Sequence, residues 1–480
     1  MMRGRQVLRA HESDNMTARF LGLAALAFMA IAPAHAEDAT GYWGGNIAHS
    51  LNVFVTIEKA AAGGWEGTLM VPQQGLVTKV DKLVVTDDGV SFALLGLGAT
   101  YAARWNAQQK AWDGNWVQGG QTAPLVLTRT EASATALKRP QEQAIAARAP
   151  AYASSVVTFA NDKAGVRLEG VLTVPPGNGP FPAVVLVQGS GPLDRDETIL
   201  EHKPFLVLAD HLSRHGIAVL RYDKRGVGKS SGEYASATTF DFAGDADAAL
   251  RFLRGRAEVD THHIGIIGHS EGGLIAPLLA SHDPAIAYIV MLAGPGVRGE
   301  LLLAEQFASR SRLNGAPGAV VAQEQALNKA MFAILASEPD AATARAKATQ
   351  LIAAAQRNGT LPPGMNESLV ATFSTPWFLT FLRLEPVPVL QAVRQPALAL
   401  NGSLDYQVPA AMDLPPIRAA LKDNPHATVI ELPKLNHLFQ TATTGGSAEY
   451  ATIEESIAPV VLETVSDWIH ATVRQNVGLR

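Results

Sequence analysis

One serine, one aspartate and one histidine stand in this chain where a hydrolytic triad would need them. Gly268-His269-Ser270-Glu271-Gly272 is entered from the apolar run Ile264-Gly265-Ile266-Ile267 and followed by the helix-like stretch Gly273-Leu274-Ile275-Ala276-Pro277-Leu278-Leu279-Ala280. Strand, Gly-x-Ser-x-Gly, helix is the context of a nucleophile elbow: the serine sits on a sharp turn whose flanking positions have no room for a side chain. A serine hydroxyl becomes a useful nucleophile only when a base takes its proton and an acid orients that base. Asp405 follows the apolar strand Ala397-Leu398-Ala399-Leu400, and His437 follows the strand that ends at Leu432. Nucleophile, acid and base thus come in the order Ser270, Asp405, His437, each just after a strand. Glu431 lies within its strand, and Asp413 is less well placed by spacing. The residue beside the serine in such a turn points elsewhere, so His269 reads as structural.

Acyl transfer also needs backbone N–H groups aimed at the developing oxyanion. One is expected from Glu271, directly after the nucleophile. The other is expected from the loop Gln188-Gly189-Ser190-Gly191-Pro192, after the third strand, at Ser190 with Gly191 as the alternative.

The elements that must position these groups are legible in the hydrophobic pattern. From Ser154 onward, strands alternate with helices, the signature of a mostly parallel sheet. Eight strands are expected, at 156–159, 168–174, 183–187, 217–222, 264–267, 288–292, 397–400 and 428–432. Between about 296 and 395 the alternation is interrupted by a helix-rich stretch too long for a simple connection, which predicts a cap with a fold of its own. Tyr450 to about Gln475 reads as an amphipathic helix, kinked at Pro459 or beginning near it.

Residues 37–130 look all-β, with alternating runs such as Leu51–Ile57 punctuated by Gly63-Gly64, Asp87-Asp88-Gly89 and Gly119-Gly120. Five of the seven tryptophans lie here; the expectation is the core and rim of a small barrel or sandwich, with a ligand platform as the alternative. Residues 131–153 read as a linker, partly helical, which leaves 154–480 for the catalytic domain. Residues 1–36 read as a secretory signal peptide. Met16-Thr17-Ala18-Arg19 opens it, an apolar run from Phe20 to Ile31 follows, and Ala34-His35-Ala36 supplies a cleavage site after Ala36. A periplasmic or secreted bacterial protein is therefore expected, with no stable membrane span after cleavage.

The 480 residues carry a net charge of −5, and loss of residues 1–36, with four Arg and two acids, makes it −7. A mildly acidic chain without a Lys/Arg cluster has no electrostatic reason to bind nucleic acid. The absence of cysteine excludes disulfides, Fe–S clusters and a thiolate nucleophile. Gly228-Lys229-Ser230 lacks the first glycine of a P-loop, and Gly189-Ser190-Gly191 lacks the third glycine of a dinucleotide fingerprint. His211 and His215 share a helix face without the glutamate of a zinc protease. No metal and no cofactor are expected. Asp194-Arg195-Asp196 reads as an ion pair bracing its loop, or as a substrate-orienting group.

Four motifs in order, Gln188–Asp196, Tyr222–Gly232, Gly268–Gly273 and Asn436-His437-Leu438-Phe439-Gln440, resemble an α/β-hydrolase of the bacterial serine esterase and acyl-hydrolase branch, grouped with dienelactone-hydrolase-like and serine-aminopeptidase-like proteins. The resemblance covers residues 154–480. It implies an α/β fold with an eight-stranded sheet, a helical cap over the serine and a small-molecule ester substrate. Gln188 departs from the family, which commonly has histidine there. A carboxylesterase-type activity is expected, with a peptidase, amidase or acyltransferase using the same triad as alternatives. A binding module built on residues 37–130 is a further alternative. Oligomeric state is left open.

Overall fold

A computed structural model describes residues 39–478 apart from 48–50, 62, 72–75, 119–120, 132–137, 150 and 362–365. The expected signal peptide therefore lies outside the described residues. The first unit is an all-β sheet of nine strands among the described residues, from Gly41–Ile47 to Gln121–Arg129, every pairing antiparallel. Its two outermost strands, Leu76–Lys79 and Asp81–Val85, are separated in the chain only by Val80. Strands at opposite ends of the hydrogen-bonded order can be chain neighbours only if the sheet curls round and brings its two edges together. Val80 N–H donates to Gly67 O at 3.0 Å, extending the ladder between Leu76–Lys79 and Trp65–Val71 by one residue.

Alternation puts Val53, Val55 and Ile57 of one strand inside. Trp43 and Trp112 are fully buried there, and Trp112 meets Trp43 and Trp105 edge-on at 5.8 and 4.9 Å. These rings are spent on packing, as the core reading expects.

The second sheet has eight strands among the described residues: β1 (Ala153–Asn161), β2 (Val166–Val174), β3 (Phe181–Val187), β4 (Ala218–Tyr222), β5 (Val259–His269), β6 (Tyr288–Leu292), β7 (Ala397–Gly402) and β8 (Ala427–Leu432), in the order β1-β2-β4-β3-β5-β6-β7-β8. It is mixed. β2 runs antiparallel to both neighbours, and all pairings from β4 to β8 are parallel. Every expected strand is present. The central strands β3 and β6 are apolar along their whole length, and β4 is interrupted only by Arg221, because helices cover both faces. The chain reverses its direction of winding at β3 and β5, and the crevice beyond their C-terminal ends is where such sheets bind ligands.

Helix α1 (Pro140–Ala147) precedes this sheet, within the stretch read as a linker. Arg139, buried just before it, donates to the carbonyls of Leu200, Ala451 and Ile453; Gln141 accepts from Ser456 N–H, and Glu142 accepts from Lys203 N–H at 2.7 Å. Helices α2 (Pro204–Arg214), α3 (Thr239–Arg254) and α4 (Glu271–Ala280) follow β3, β4 and β5.

Between β6 and β7 lie six helices among the described residues: α5 (Gly299–Leu313), α6 (Gly318–Ser337), α7 (Ala341–Arg357), α8 (Asn366–Phe373), α9 (Pro376–Arg383) and α10 (Pro386–Ala392). They share a core of their own, with Met331, Phe332, Ile352, Phe373 and Leu382, which reaches the sheet domain at Leu274 of α4. α11 (Ala410–Ala420) and α12 (Pro459–Gly478) complete the fold. Of the two expected courses, a kink at Pro459 or a start near it, the structure has the second: α12 begins at Pro459, and Ile453 and Ile457 precede it. Proline lacks the N–H that an interior helical position would need and is favoured at the first one. Ile457 still packs in the same core as Val461, Val465 and Ile469.

Candidate active site

Ser270 sits between β5 and α4 with φ 53° and ψ −115°, a conformation that side chains avoid. The turn is held by Ser270 N–H donating to Leu292 O at 2.8 Å. A Cβ on Gly268 would overlap the carbonyl of Gly272, and one on Gly272 would overlap the carbonyl of Val187. Gly272 lies inside α4, where alanine would ordinarily favour a helix by about 1 kcal/mol. The clash is with backbone and should win. Gly272→Ala is expected to lose more than about 4 kcal/mol of stability, read as a lowered urea midpoint or absent soluble protein; a variant as stable as wild type would contradict this packing.

The acid and the base come from loops that bond to each other. Leu404 N–H donates to Leu435 O at 2.9 Å, and Lys434 N–H to Ser403 Oγ at 2.8 Å. Asp405 and His437 are both buried, and His437 Nδ1–H donates to Asp405 Oδ2 at 2.8 Å. The other oxygen of Asp405 accepts from the N–H groups of Gln407 and Val408 at 2.8 and 2.9 Å. Asn436 shapes the histidine loop through its Oδ1, which accepts from Leu438 and Gln440 N–H. Ser270 and His437 line one cavity of about 240 Å³, together with Gly189 and Ser190 of the loop after β3. With Nδ1 committed to Asp405, Nε2 is the nitrogen left for the serine.

Glu271 opens α4, so its N–H is at a helix N-terminus, while its side chain is fully buried. Gly191 has φ 111° and turns the loop after Ser190. Gln188, the departure from the family pattern, donates through Nε2 to Tyr222 O and to Asp194 O, fastening the loop to the end of β4. The remaining expectations resolve as structure. Arg195 pairs with Asp223 at 2.6 Å and Glu169 at 2.9 Å, and Arg221 with Asp196 at 2.7 Å. His211 stacks on His215 and bonds Ser466, and Glu431 is exposed on β8.

His269, read as structural, is a junction. Its Nδ1 lies 2.9 Å from Glu197 Oε1 and its Nε2 lies 2.9 Å from His437 O. Burial works against charge on this imidazole, but the Glu197 carboxylate and the His437 carbonyl outweigh it and raise its pKa above the usual value. Both nitrogens face acceptors, which is the environment of an imidazolium. Sequence gave no sign of Glu197, which is 72 residues away.

Asp413 does not join the triad. Its Oδ1 accepts from Gly296 and Val297 N–H at 2.7 and 3.3 Å, where the helical insertion leaves the sheet. Burial is the main cause that pushes its pKa up from 3.8 to about 7, with the Asp405 charge adding to it. A carboxyl whose pKa is raised on folding stabilises the fold most below its unfolded pKa, and that contribution is lost as pH rises through the folded value. Wild type is therefore expected to lose a few kcal/mol relative to Asp413→Asn between about pH 4 and pH 8. Urea unfolding at both pH values reads this, and parallel behaviour of the two proteins would refute it.

The loop after β3, the elbow and the paired loops after β7 and β8 meet at the C-terminal edge of a sheet in the order described. Residues 202–361 match a family model described as Hydrolase_4, serine aminopeptidase, S33. Over this stretch, a third of its length, the chain resembles the α/β-hydrolases. The matched stretch contains Ser270 and Glu271, while Ser190, Asp405 and His437 lie outside it. Among curated relatives, Esterase EstD of Thermotoga maritima is 29% identical over 272 residues, 57% of this chain. The chain spans 58% of that relative's length. Among solved structures, the α/β hydrolase GrgF from Penicillium sp. sh18 is 18% identical with a TM-score of 0.41, covering 67% of this chain and 99% of its own. The Pyrococcus furiosus esterase Pf2001 is 16% identical with a TM-score of 0.41, covering 68% and 91%.

Among the described residues, no cluster of His, Asp and Glu is arranged to hold a metal ion, and no helix is long and apolar enough to cross a membrane.

Proposed function

We propose that this α/β-hydrolase cleaves small carboxylic esters through Ser270, Asp405 and His437. The observation that carries the reading is the 2.8 Å bond from His437 to Asp405 at a cavity whose wall also holds Ser270 on its strained turn. Ser270 Oγ attacks the ester carbonyl while His437 Nε2 takes its proton, and Asp405 stabilises the imidazolium. The oxyanion is received by the N–H groups of Ser190 and Glu271, with Gly191 as the alternative to Ser190. Collapse expels the alcohol with a proton from His437 and leaves an acyl-enzyme. Water, deprotonated by His437, releases the acid and restores Ser270.

The helices between β6 and β7 act as the cap, and residues 1–36 direct export to the periplasm or medium before cleavage after Ala36. Residues 37–130 form a separate β domain joined through residues 131–153 to the catalytic domain, 154–480.

A peptidase is the second reading, favoured by the description of the matching family model. A free amine would call for a carboxylate in the cavity wall. Glu197 is the carboxylate there; its Oε1 faces Gly189 N–H and His269, and its other oxygen is buried without a hydrogen-bond partner. An acyltransferase would differ only in an alcohol or amine outcompeting water.

A panel of p-nitrophenyl esters, from acetyl to palmitoyl, beside aminoacyl p-nitroanilides separates these. Ester cleavage that vanishes in Ser270→Ala supports the esterase; preference for anilides would transfer the assignment to a peptidase.

A further inference from the structure

A buried lysine beside the site has no part in the triad chemistry. Lys224 follows β4 and is 2% exposed at its side chain. Its Nζ donates to Gly189 O at 2.6 Å, pairs with Glu271 Oε2 at 3.3 Å and lies 4.3 Å from the centre of the Phe242 ring. Burying an ammonium and a carboxylate costs several kcal/mol in desolvation, and a hydrophobic pair of the same volume would serve stability as well or better. What the charges hold is therefore informative.

They hold the peptide that carries one expected oxyanion donor and the side chain of the residue that carries the other. The carbonyl of Gly189 and the N–H of Ser190 belong to one trans peptide, in which C=O and N–H point in opposite directions. A cation fixed on Gly189 O turns the Ser190 N–H to the other side, away from Lys224. Gly189 is fixed from its other end as well, its N–H donating to Glu197 Oε1 at 2.7 Å. A Cβ on Gly189 would lie 3.1 Å from Ser270 Cβ, so this peptide borders the nucleophile. The partner of Lys224 is the side chain of the residue that supplies the second N–H, Glu271. Its Oε1 is held in turn by Thr239 Oγ1 at 2.8 Å and by Trp377 Nε1 at 2.6 Å, the latter from α9 of the helical insertion.

We propose that Lys224 is a positioning residue that aims the Ser190 N–H at the oxyanion and, through Glu271, fixes the two donors relative to each other. The proposal rests on the esterase reading of the site. Lys224 touches no reacting atom; its effect belongs to the transition state, where donors already aimed need no reorganisation.

The test is the double variant Lys224→Met/Glu271→Gln, which removes both charges at nearly constant volume and leaves the Glu271 backbone N–H in place. With a short-chain p-nitrophenyl ester, kcat is expected to fall about 100-fold, the scale of losing one oxyanion donor. KM stays within about threefold, because the ground-state carbonyl makes little use of those donors. The inhibition constant of benzeneboronic acid, which forms a tetrahedral adduct on Ser270, should rise in the same proportion as kcat falls.

A folded double variant with kcat within threefold of wild type overturns the proposal. So does a loss of kcat with unchanged boronate affinity. Loss of cooperative unfolding would assign the pair to stability and overturn it too. Ser270→Ala run in parallel separates the levels: if it stays active, the esterase reading itself falls; if it is inactive while the double variant matches wild type, only the role of Lys224 falls.

Discussion

Ser270→Ala is expected to lower ester turnover by about 10⁵- to 10⁶-fold, the effect of removing a triad nucleophile, with little change in unfolding temperature. The two halves of that expectation have separate physical sources. Activity collapses because no other group at the junction of β5 and α4 can take the acyl group. Stability persists because alanine at φ 53° carries the same strain as serine and the backbone bond from residue 270 to Leu292 O remains. Ser270→Gly should be equally inactive but more stable, by about 1–3 kcal/mol, since glycine tolerates that conformation. Thermal unfolding of the three proteins beside their turnover reads both effects. Appreciable ester cleavage by the alanine variant would exclude Ser270 as the nucleophile.

Asp405→Asn is expected to cost about 10⁴ in kcat with the fold intact. The size follows from how the carboxylate is held. Its Oδ1 accepts from two backbone N–H groups, so an asparagine must turn its carbonyl oxygen to Gln407 and Val408 and its NH₂ to His437. An NH₂ facing Nδ1 forces that nitrogen to accept, which moves the ring proton to Nε2. Nε2 can then no longer take the proton of Ser270. The reverse rotamer would set the NH₂ against two backbone donors and is worse. Steady-state kinetics decide the matter, and a loss under tenfold would remove Asp405 from the triad.

Much of this was readable in the chain because it is locally encoded. An apolar strand running into Gly-x-Ser-x-Gly and a helix leaves little freedom, and the eight strands of the second sheet are each marked by apolar runs and turn residues. The pairing of Asp405 with His437 was accessible because both lie just past neighbouring parallel strands.

What stayed hidden depends on tertiary contact. Lys224 lies inside the motif Tyr222–Gly232, yet nothing in its neighbours says that its ammonium meets Gly189 O. Glu197 and His269 are linked only once β3 and β5 pair. The start of α12 stayed open between two courses, because Ile453 and Ile457 match the helical period while Pro459 can open a helix. Asp413 illustrates the limit of spacing: an acid eight residues after Asp405 is a plausible alternative until the fold gives it two backbone N–H groups to hold.

The contacts of Arg139, Gln141 and Glu142 bear on where this protein can be divided. These side chains hold carbonyls and N–H groups at 200–203 and 451–457, directly after Ile199 and Tyr450 in the wall of the cavity. The sequence reads 131–153 as a tether, but its second half is a brace for the pocket. A hydrolase unit cut at residue 153 would leave that wall without its support and the Leu200 carbonyl without the Arg139 guanidinium.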